Sequence, residues 1–474
     1  MELTYDVVVL GAGSTGENVA DIAVRGGLTA VLVENELVGG ECSYWACMPS
    51  KALLRGTEVL AEARAVDGAK QAVTGEQDVA ATLARRDSFT SHWDDAGQVT
   101  WAEGAGIDLL RGTGRLAGER TVVVTTDDGT EIRLTARHAV AVCTGSVAAT
   151  PPIEGLADVA PWSPREATSA KEAPGRLLVL GGGYVGCEMA TAWQALGSQV
   201  TVLQRGDRLL PAAEPAAGEA VEKSLRDRGV DVRLDSGVTG ARREGTEVVL
   251  TLSSNDGRPV EVRGDEVLVA VGRAGRTRDI GLDSVGLEAG SYLDVDDTLQ
   301  VTGVPWLYGV GDVNGRSLLT HMGKYQARQA GNAIVARARG EEVDTSDWSP
   351  FVATADAAAV PSVVFTIPQV ASVGRTAAAA EKAGLPHRVV QIPLEVAGSS
   401  VFADGYEGTA IAVIDTDREV LLGVTFIGPA VAELLQAATI AVVGEVPIRR
   451  LWHAVPAYPT ISEIWLRLLE SYRG

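Results

Sequence analysis

Two cysteines are the first residues in this sequence whose type and spacing could do chemistry. Cys42 and Cys47 stand in the run Gly39-Gly40-Glu41-Cys42-Ser43-Tyr44-Trp45-Ala46-Cys47-Met48-Pro49-Ser50-Lys51. On a regular α-helix this spacing would set their Cα atoms roughly 8–9 Å apart, pointing about 140° away from each other. A disulfide tolerates no more than about 7 Å. The two can therefore exchange electrons as a dithiol–disulfide pair only if the helix begins irregularly between them. Gly39-Gly40 and Pro49 are compatible with that, since proline is tolerated only at a helix start. Cys47 would then lie at the positive end of a helix dipole near Lys51, a setting that favours a thiolate. The alternative is a pair of buried cysteines acting as small hydrophobes.

Two phosphate cradles must position any such chemistry. The apolar run Asp6–Leu10 reads as a strand buried on both faces, followed by Gly11-Ala12-Gly13-Ser14-Thr15-Gly16, a helical pattern through Val24, and a second strand Ala30–Val33 ending at Glu34. Strand, G-x-G-x-x-G, helix, strand and acid, in that order, form the dinucleotide fingerprint. Gly11, Gly13 and Gly16 allow the turn and close approach, helix-end amides hold the pyrophosphate, and Glu34 takes the ribose hydroxyls. The pattern recurs with Leu177–Leu180, then Gly181-Gly182-Gly183-Tyr184-Val185-Gly186, then Gln199–Leu203. Here Gln204 stands in register with Glu34, and Arg205 and Arg208 follow. A carboxylate there would repel a 2′-phosphate, whereas arginine would pair with it. This favours NADPH over NADH, although Gly186 is not the alanine often seen at NADPH sites, and surface arginines on a loop remain the alternative. Two different nucleotide sites imply hydride traffic between a nicotinamide and a flavin.

The chain of 474 residues predicts roughly three domains. A hydrophobic content of 46% supports large buried cores, and a formal charge of −21 repels phosphate backbones and anionic membranes, which argues against nucleic-acid binding. No basic segment precedes an apolar core at the amino terminus, the apolar stretch Leu177–Leu196 reads as strand, turn and helix, and four cysteines do not make a disulfide scaffold. A cytoplasmic protein without a membrane span is expected. His92, His138 and His387 lack companions at ligand spacing, so no metal site is expected, and Cys143 and Cys187 read as buried packing residues.

The cysteine run resembles the redox-active segment of the pyridine nucleotide-disulfide oxidoreductases, and the resemblance covers essentially the whole chain. Cys143-Thr144-Gly145-Ser146 followed by Pro151-Pro152-Ile153-Glu154-Gly155 is similar to the family's exit from its first FAD segment. Gly186-Cys187-Glu188 matches the G-x-E after the second cradle, and Val269–Arg273, with Gly272, matches the strand closing the NAD domain. Leu307–Asp312 is similar to the second FAD motif, whose aspartate holds the ribityl chain, and Pro361–Pro368 opens a dimerisation-like segment. The resemblance implies an α/β fold with two Rossmann-like dinucleotide-binding domains, for FAD and NAD(P), plus a C-terminal α+β dimerisation domain. The expected division is 1–150 (first part of the FAD-binding domain, with the redox cysteines), 151–275 (NAD(P)-binding), 276–345 (central FAD-binding part) and 346–474 (interface domain of a homodimer). NADPH would reduce FAD on one face, and the flavin would reduce a Cys42–Cys47 disulfide on the other. Cys47 would be the flavin-proximal thiolate and Cys42 the thiol that attacks a small disulfide substrate. Lys51 and Glu188 would pair beside flavin N5. Gly40, Gly114, Thr144, Gly145, Asp312 and Thr320 join the flavin set. Tyr184 would gate the nicotinamide pocket, or else pack as a core aromatic. His321 would order the loop near the flavin.

One departure bears on the substrate. The family normally ends in a His-Pro-Thr segment with a glutamate in register, the imidazole serving as acid and base across the dimer interface. Here the segment is Ala457-Tyr458-Pro459-Thr460-Ile461-Ser462-Glu463, so Tyr458 occupies the histidine position while Glu463 stays in register. Tyrosine's reference pKa near 10 lies about 3.5 units above histidine's, a handicap of up to about 5 kcal/mol for a base at neutral pH. It can still donate a proton to a leaving thiolate, so disulfide reduction should suffer less than dithiol oxidation. His453 could substitute only if Pro456 bends the chain back. The Tyr-Pro-Thr segment is also similar to that of mercuric reductase and of soluble transhydrogenase. The carboxyl terminus, however, lacks the cysteine pair the former needs, and this chain keeps both redox cysteines where the latter has lost its second. Two other functions stay open: electron transfer from NAD(P)H to a quinone, dye or second nicotinamide that bypasses the cysteines, and a redox sensor whose disulfide state controls a partner.

Overall fold

Val7, Val8, Val9 and Leu10 are buried, as a strand at the centre of a parallel sheet must be. In the computed structural model, which describes residues 1–253 and 260–474, they end the strand Glu2–Leu10. This strand pairs in parallel with Ala30–Glu34 on one side and Glu131–Val142 on the other. Asp108–Arg111 extends the sheet beyond Ala30–Glu34, and Leu307–Gly309 runs parallel to the end of Glu131–Val142. Thr121–Thr125 and Thr113–Leu116 add an antiparallel flap. The strand begins four residues before the apolar run, with a register shift between Tyr5 and Val7. This sheet belongs to a unit formed by residues 1–49, 87–149 and 273–356.

The turn out of Glu2–Leu10 shows why the first cradle is written in glycine. Gly11 has φ +98°, and a Cβ on Gly16 would lie 1.9 Å from the Gly11 carbonyl oxygen. No other residue fits either place. The helix Ser14–Arg25 follows and packs in parallel along the helix Thr320–Ala338. Glycines set the register: a Cβ on Gly323 would lie 2.4 Å from Thr15 Oγ1, one on Gly331 2.7 Å from Ile22 Cγ2, and one on Gly26 2.4 Å from Val335 Cγ2. The two helices therefore touch closely along their length with both N-termini, and both positive dipole ends, at one end.

The second unit comprises residues 50–86, 150–272 and 357–474. Its parallel sheet has the order Asp231–Arg233, Gln199–Leu203, Arg176–Leu180, Glu266–Val269. The helix Tyr184–Ala195 leaves the Arg176–Leu180 strand through the second glycine turn, in which Gly181 has φ +112° and a Cβ on Gly186 would lie 1.9 Å from Gly181 O. The apolar stretch Leu177–Leu196 is thus strand, turn and helix. A three-stranded antiparallel sheet, Val238–Glu244, Glu247–Leu252 and Val260–Gly264, follows in the chain. The carboxyl-terminal part holds a five-stranded antiparallel sheet ordered Pro361–Val364, Gln369–Gly374, Val420–Gly428, Thr409–Asp415, His387–Pro393. Leu53, Leu54 and Leu83 share one buried cluster with Leu177, Val179 and Trp193, so residues 50–86 pack with the second cradle, although they lie within 1–150 by sequence. Among the described residues no helix is long and apolar enough to cross a membrane.

In the first unit, Gln326 fixes the loop after Leu307–Gly309. Its Oε1 accepts from the Gly311 amide (2.7 Å) and from Asn314 Nδ2 (2.8 Å), while its Nε2 donates to Asp356 Oδ2 at 2.9 Å. The Asp356 side chain is 1% exposed, and its Oδ1 is buried without a partner. Burial pushes this carboxyl up to about 6, against an attraction from Arg316. The folded chain then keeps a proton that the unfolded chain releases near its ordinary value of 3.8, so the stability tied to that proton is lost as the pH rises through about 6. Asp356→Asn should therefore gain on the wild type by on the order of 1–3 kcal/mol at pH 7.5 and by much less at pH 4.5. Thermal unfolding of both proteins at the two pH values checks this, and an equal difference at both would rule it out.

Candidate active site

Between the cysteines the helix does break. The helix Gly40–Tyr44 ends at Trp45, whose φ −136° and ψ −6° leave the helical region, and the helix Cys47–Arg64 starts two residues later. Cys42 thus sits within one short helix while Cys47 opens the next, and the irregular start that their spacing demands is present. The segment presses on the first cradle: a Cβ on Gly40 would sit 2.9 Å from Gly13 Cα. Cys47 Sγ lies 3.2 Å from Thr320 Oγ1. A hydrogen bond to Cys47, then burial, pushes the Cys42 thiol well up, whereas a bond to Thr320 and the charge of Lys324 act the other way. Cys47 stands at a helix start, where negative charge is welcome.

The cradles have room for dinucleotides. Beyond Gly40, nothing within 4 Å limits a Cβ on Gly13, and nothing at all limits one on Gly183. Packing does not explain these glycines, but a diphosphate lying against the loop does. Glu34 is buried, with Oε2 accepting the Ala12 amide and Oε1 the Glu36 amide, both at 2.8 Å. Burial raises its carboxyl, and these two bonds with Arg111 and Arg276 oppose the rise. In the second cradle Gln204 Oε1 accepts the Gly182 amide at 3.0 Å, the same loop contact made without charge. Arg205 is exposed, and Arg208 donates to the Pro211 carbonyl. Tyr184 opens its helix half-buried against the core of the second unit. Gly145 and Gly272, with φ +73° and +144°, face open space. Gly114 differs, because its Cβ would meet Leu10 and Val33 side chains at 2.6 and 2.9 Å, so packing alone accounts for it. Thr144 donates to the Arg276 carbonyl at 2.7 Å. Asp312 Oδ2 accepts from Ser146 Oγ at 2.6 Å, and Arg273 in turn donates to Ser146 Oγ at 2.6 Å. Together these loops fit FAD in the first unit and a nicotinamide dinucleotide in the second.

In the second unit Lys51 Nζ pairs with Glu188 Oε2 at 2.7 Å, and the Glu188 side chain is 7% exposed. Phe365 holds both: its amide donates to Glu188 Oε1 at 3.0 Å, and its ring lies 5.0 Å beneath Lys51 Nζ. Tyr458 is 76% exposed. Glu463 Oε2 accepts the Gly398 amide at 3.0 Å, and among the described residues no hydrogen bond joins it to Tyr458. His453 is exposed in the same segment, and His321 is exposed in the first turn of Thr320–Ala338. Cys143 and Cys187 are buried and their thiols are pushed up by burial. Among the described residues no group of His, Cys, Asp or Glu is arranged to hold a metal ion.

Ser146, Phe365, Lys324 and Glu17 were not singled out from sequence. Only Glu17 carried a local signal, an acid directly after the last glycine of a cradle, where a helix start will be buried.

Known proteins are similar to this chain along nearly its whole length. The dihydrolipoyl dehydrogenase of Haloferax volcanii is 31% identical over 99% of this chain and 96% of its own length. That of Thermus scotoductus is 31% identical over 99% of this chain and 97% of its own. The solved Cu(II) complex of the HOCl-induced flavoprotein disulfide reductase RclA from Escherichia coli has the same fold, with a TM-score of 0.83 over 99% of each chain at 22% identity. The family model described as pyridine nucleotide-disulphide oxidoreductase matches residues 5–339, and that of the family's dimerisation domain matches residues 360–468. The chain belongs to the pyridine nucleotide-disulphide oxidoreductase family, and is accordingly a flavoprotein oxidoreductase whose fold joins Rossmann-like domains for FAD and NAD(P) to a dimerisation domain.

Proposed function

We propose that the protein is a homodimeric, FAD-dependent NADPH:disulfide reductase. The observation that carries this reading is the meeting of Cys42 and Cys47 at a helix start, with Thr320 against the second sulfur. Bound FAD would supply two-electron transfer between a reduced nicotinamide and this pair. Gly11, Gly13, Gly16, Gly40 and Glu34 would hold its adenosine diphosphate part; Thr144, Gly145, Asp312, Thr320 and Lys51 would hold the remainder. Gly181, Gly183, Gly186, Gly272 and Tyr184 would take the nicotinamide dinucleotide, and Arg205 with Arg208 its 2′-phosphate. The division into domains 1–150, 151–275, 276–345 and 346–474 is part of the same proposal.

The chain's own chemistry follows from the thiols. Cys42, as thiolate, attacks one sulfur of a substrate disulfide; the S–S bond breaks and the first substrate thiolate leaves, taking a proton from Tyr458. Cys47 then attacks the Cys42 sulfur, releases the second thiol and closes the Cys42–Cys47 disulfide. Two electrons and a proton from NADPH and solvent restore the pair, so that one disulfide and NADPH plus a proton yield two thiols and NADP+. Glu188 holds the Lys51 charge in place. Tyr458 favours this direction because a phenol gives up a proton to a thiolate more readily than it takes one from a thiol. The dihydrolipoyl dehydrogenase relatives make a lipoyl disulfide an acceptor to test beside low-molecular-weight disulfides. A second reading, transfer to a quinone, dye or nicotinamide without the cysteines, is favoured by one observation, the exposed Tyr458 standing apart from Glu463.

One equivalent of NADPH should produce a long-wavelength absorbance in the holoenzyme that Cys47→Ser abolishes, and the Cys42→Ser, Cys47→Ser double variant should lose disulfide turnover entirely. Full activity of the double variant toward every acceptor would overturn this reading in favour of the second. Replacing Arg205 and Arg208 by alanine should raise KM for NADPH about 10- to 100-fold and leave KM for NADH within about twofold. Equal effects on both coenzymes would remove the 2′-phosphate assignment. Tyr458→His, which returns an imidazole in register with Glu463, should speed dithiol oxidation at pH 8 more than disulfide reduction; the ratio of the two rates reads this directly.

A further inference from the structure

The N-terminal turns of Ser14–Arg25 and Thr320–Ala338 place charges near the cysteines that the mechanism above does not use. Thr320, against Cys47 Sγ, opens its helix, and Lys324 lies one turn further on the same face. Thr15 and Gly323 touch where the two parallel helices meet, and Glu17, on the first of them, feels the charge of Lys324 on the second. Glu17 Oε1 is buried with no hydrogen-bond partner. Such an atom in a charged carboxylate is costly unless a cation compensates it.

We propose that Lys324 is a positioning residue for the redox dithiol, its ammonium divided between the buried Glu17 carboxyl and the Cys42–Cys47 pair. When a thiolate is present Lys324 turns toward the sulfurs; when it is absent, the ammonium compensates Glu17. The electrostatics run the same way. Burial pushes Glu17 up to about 7 while Lys324 pulls it down, and the same lysine lowers the Cys42 thiol against its neighbours. The other groups that face this cluster are few. Glu34 adds to the negative charge at Glu17. Tyr44 feels Glu17, Asp94, Asp95 and Arg111. Glu41 neighbours Cys42 in its own short helix, His321 follows Thr320, and Lys51 lies one turn after Cys47. With Tyr458 in place of the family's imidazole, a cation that can turn toward the sulfurs is a second means of keeping the attacking sulfur ionised at neutral pH.

This inference rests on Cys42 and Cys47 being the redox pair, and its test does not need turnover. The holoenzyme is reduced anaerobically with dithiothreitol, freed of reductant, and alkylated with iodoacetamide from pH 5.5 to 9.5, with Cys42 and Cys47 followed separately by peptide mass spectrometry. Lys324→Met should slow Cys42 alkylation at pH 7 by about 3- to 10-fold and move its profile to higher pH, whereas Lys324→Arg should retain the wild-type profile. Glu17→Gln, which frees the ammonium, should move the profile the opposite way. Superimposable profiles for wild type, Lys324→Met and Glu17→Gln would overturn the proposal, as would equal slowing by Met and Arg. If Lys324→Met fails to fold, the direction of the Glu17→Gln shift decides alone. Neither result touches the disulfide-reductase reading, which fails separately if the two cysteines of the wild type do not become alkylated together on reduction.

Discussion

Two cysteines at this spacing can meet only where a helix is interrupted, and the first glycine cradle packs against the segment where this one breaks. An unbroken helix from Gly40 would carry the sulfurs apart. The chain instead closes one short helix at Tyr44 and opens another at Cys47, which turns Cys42 back toward its partner and puts Cys47 at a positive helix end. The first cradle fixes where this happens, because Gly40 can lie against Gly13 only while neither carries a side chain. The glycines that would let a diphosphate approach are therefore the same ones that seat the redox segment. The second of the two parallel helices adds Thr320 to Cys47 and, one turn on, Lys324.

The cradles are near copies that differ in charge. Both use a positive-φ first glycine and a third glycine pressed on its carbonyl. Both take the amide of the residue after that first glycine with a side-chain oxygen from the end of the next strand, Glu34 in one and Gln204 in the other. The contact to the loop is conserved by geometry while its charge is not. A carboxylate suits two ribose hydroxyls; a neutral amide followed by Arg205 leaves room for an extra phosphate.

The parts of this arrangement that repeat or alternate locally were legible in the sequence. The strands Ala30–Glu34 and Gln199–Leu203, both glycine turns, and the irregular start after Gly39-Gly40 all follow from short-range sterics and apolar runs. Lys51 and Glu188 became partners only through a family resemblance, because nothing in either's neighbourhood points to a residue so far along the chain; Phe365, which holds both, has no local mark at all. Ser146 bridging Arg273 to Asp312, and Thr320 against Cys47, are likewise products of the tertiary fold. Gly114 shows the converse: assigned with the flavin set, it has a packing reason of its own in Leu10 and Val33. Residues 50–86 lie within 1–150 by sequence, yet Leu53, Leu54 and Leu83 pack under the second cradle, a partition that contacts reveal and sequence order hides.

The carboxyl-terminal segment shows how a relay can be partly dismantled without disturbing the fold. In the family pattern the glutamate orients an imidazole. Here Glu463 still has a structural duty, accepting the amide of Gly398, where a Cβ would run into the Thr460 backbone at 1.9 Å. That bond gives the acid a role that needs no imidazole partner. Tyr458 stands exposed. On the proposed reading, a phenol in place of an imidazole would favour releasing thiols over consuming them. If Lys324 acts as proposed, charge supplied from within the first unit would take over part of what the imidazole supplies in the family pattern.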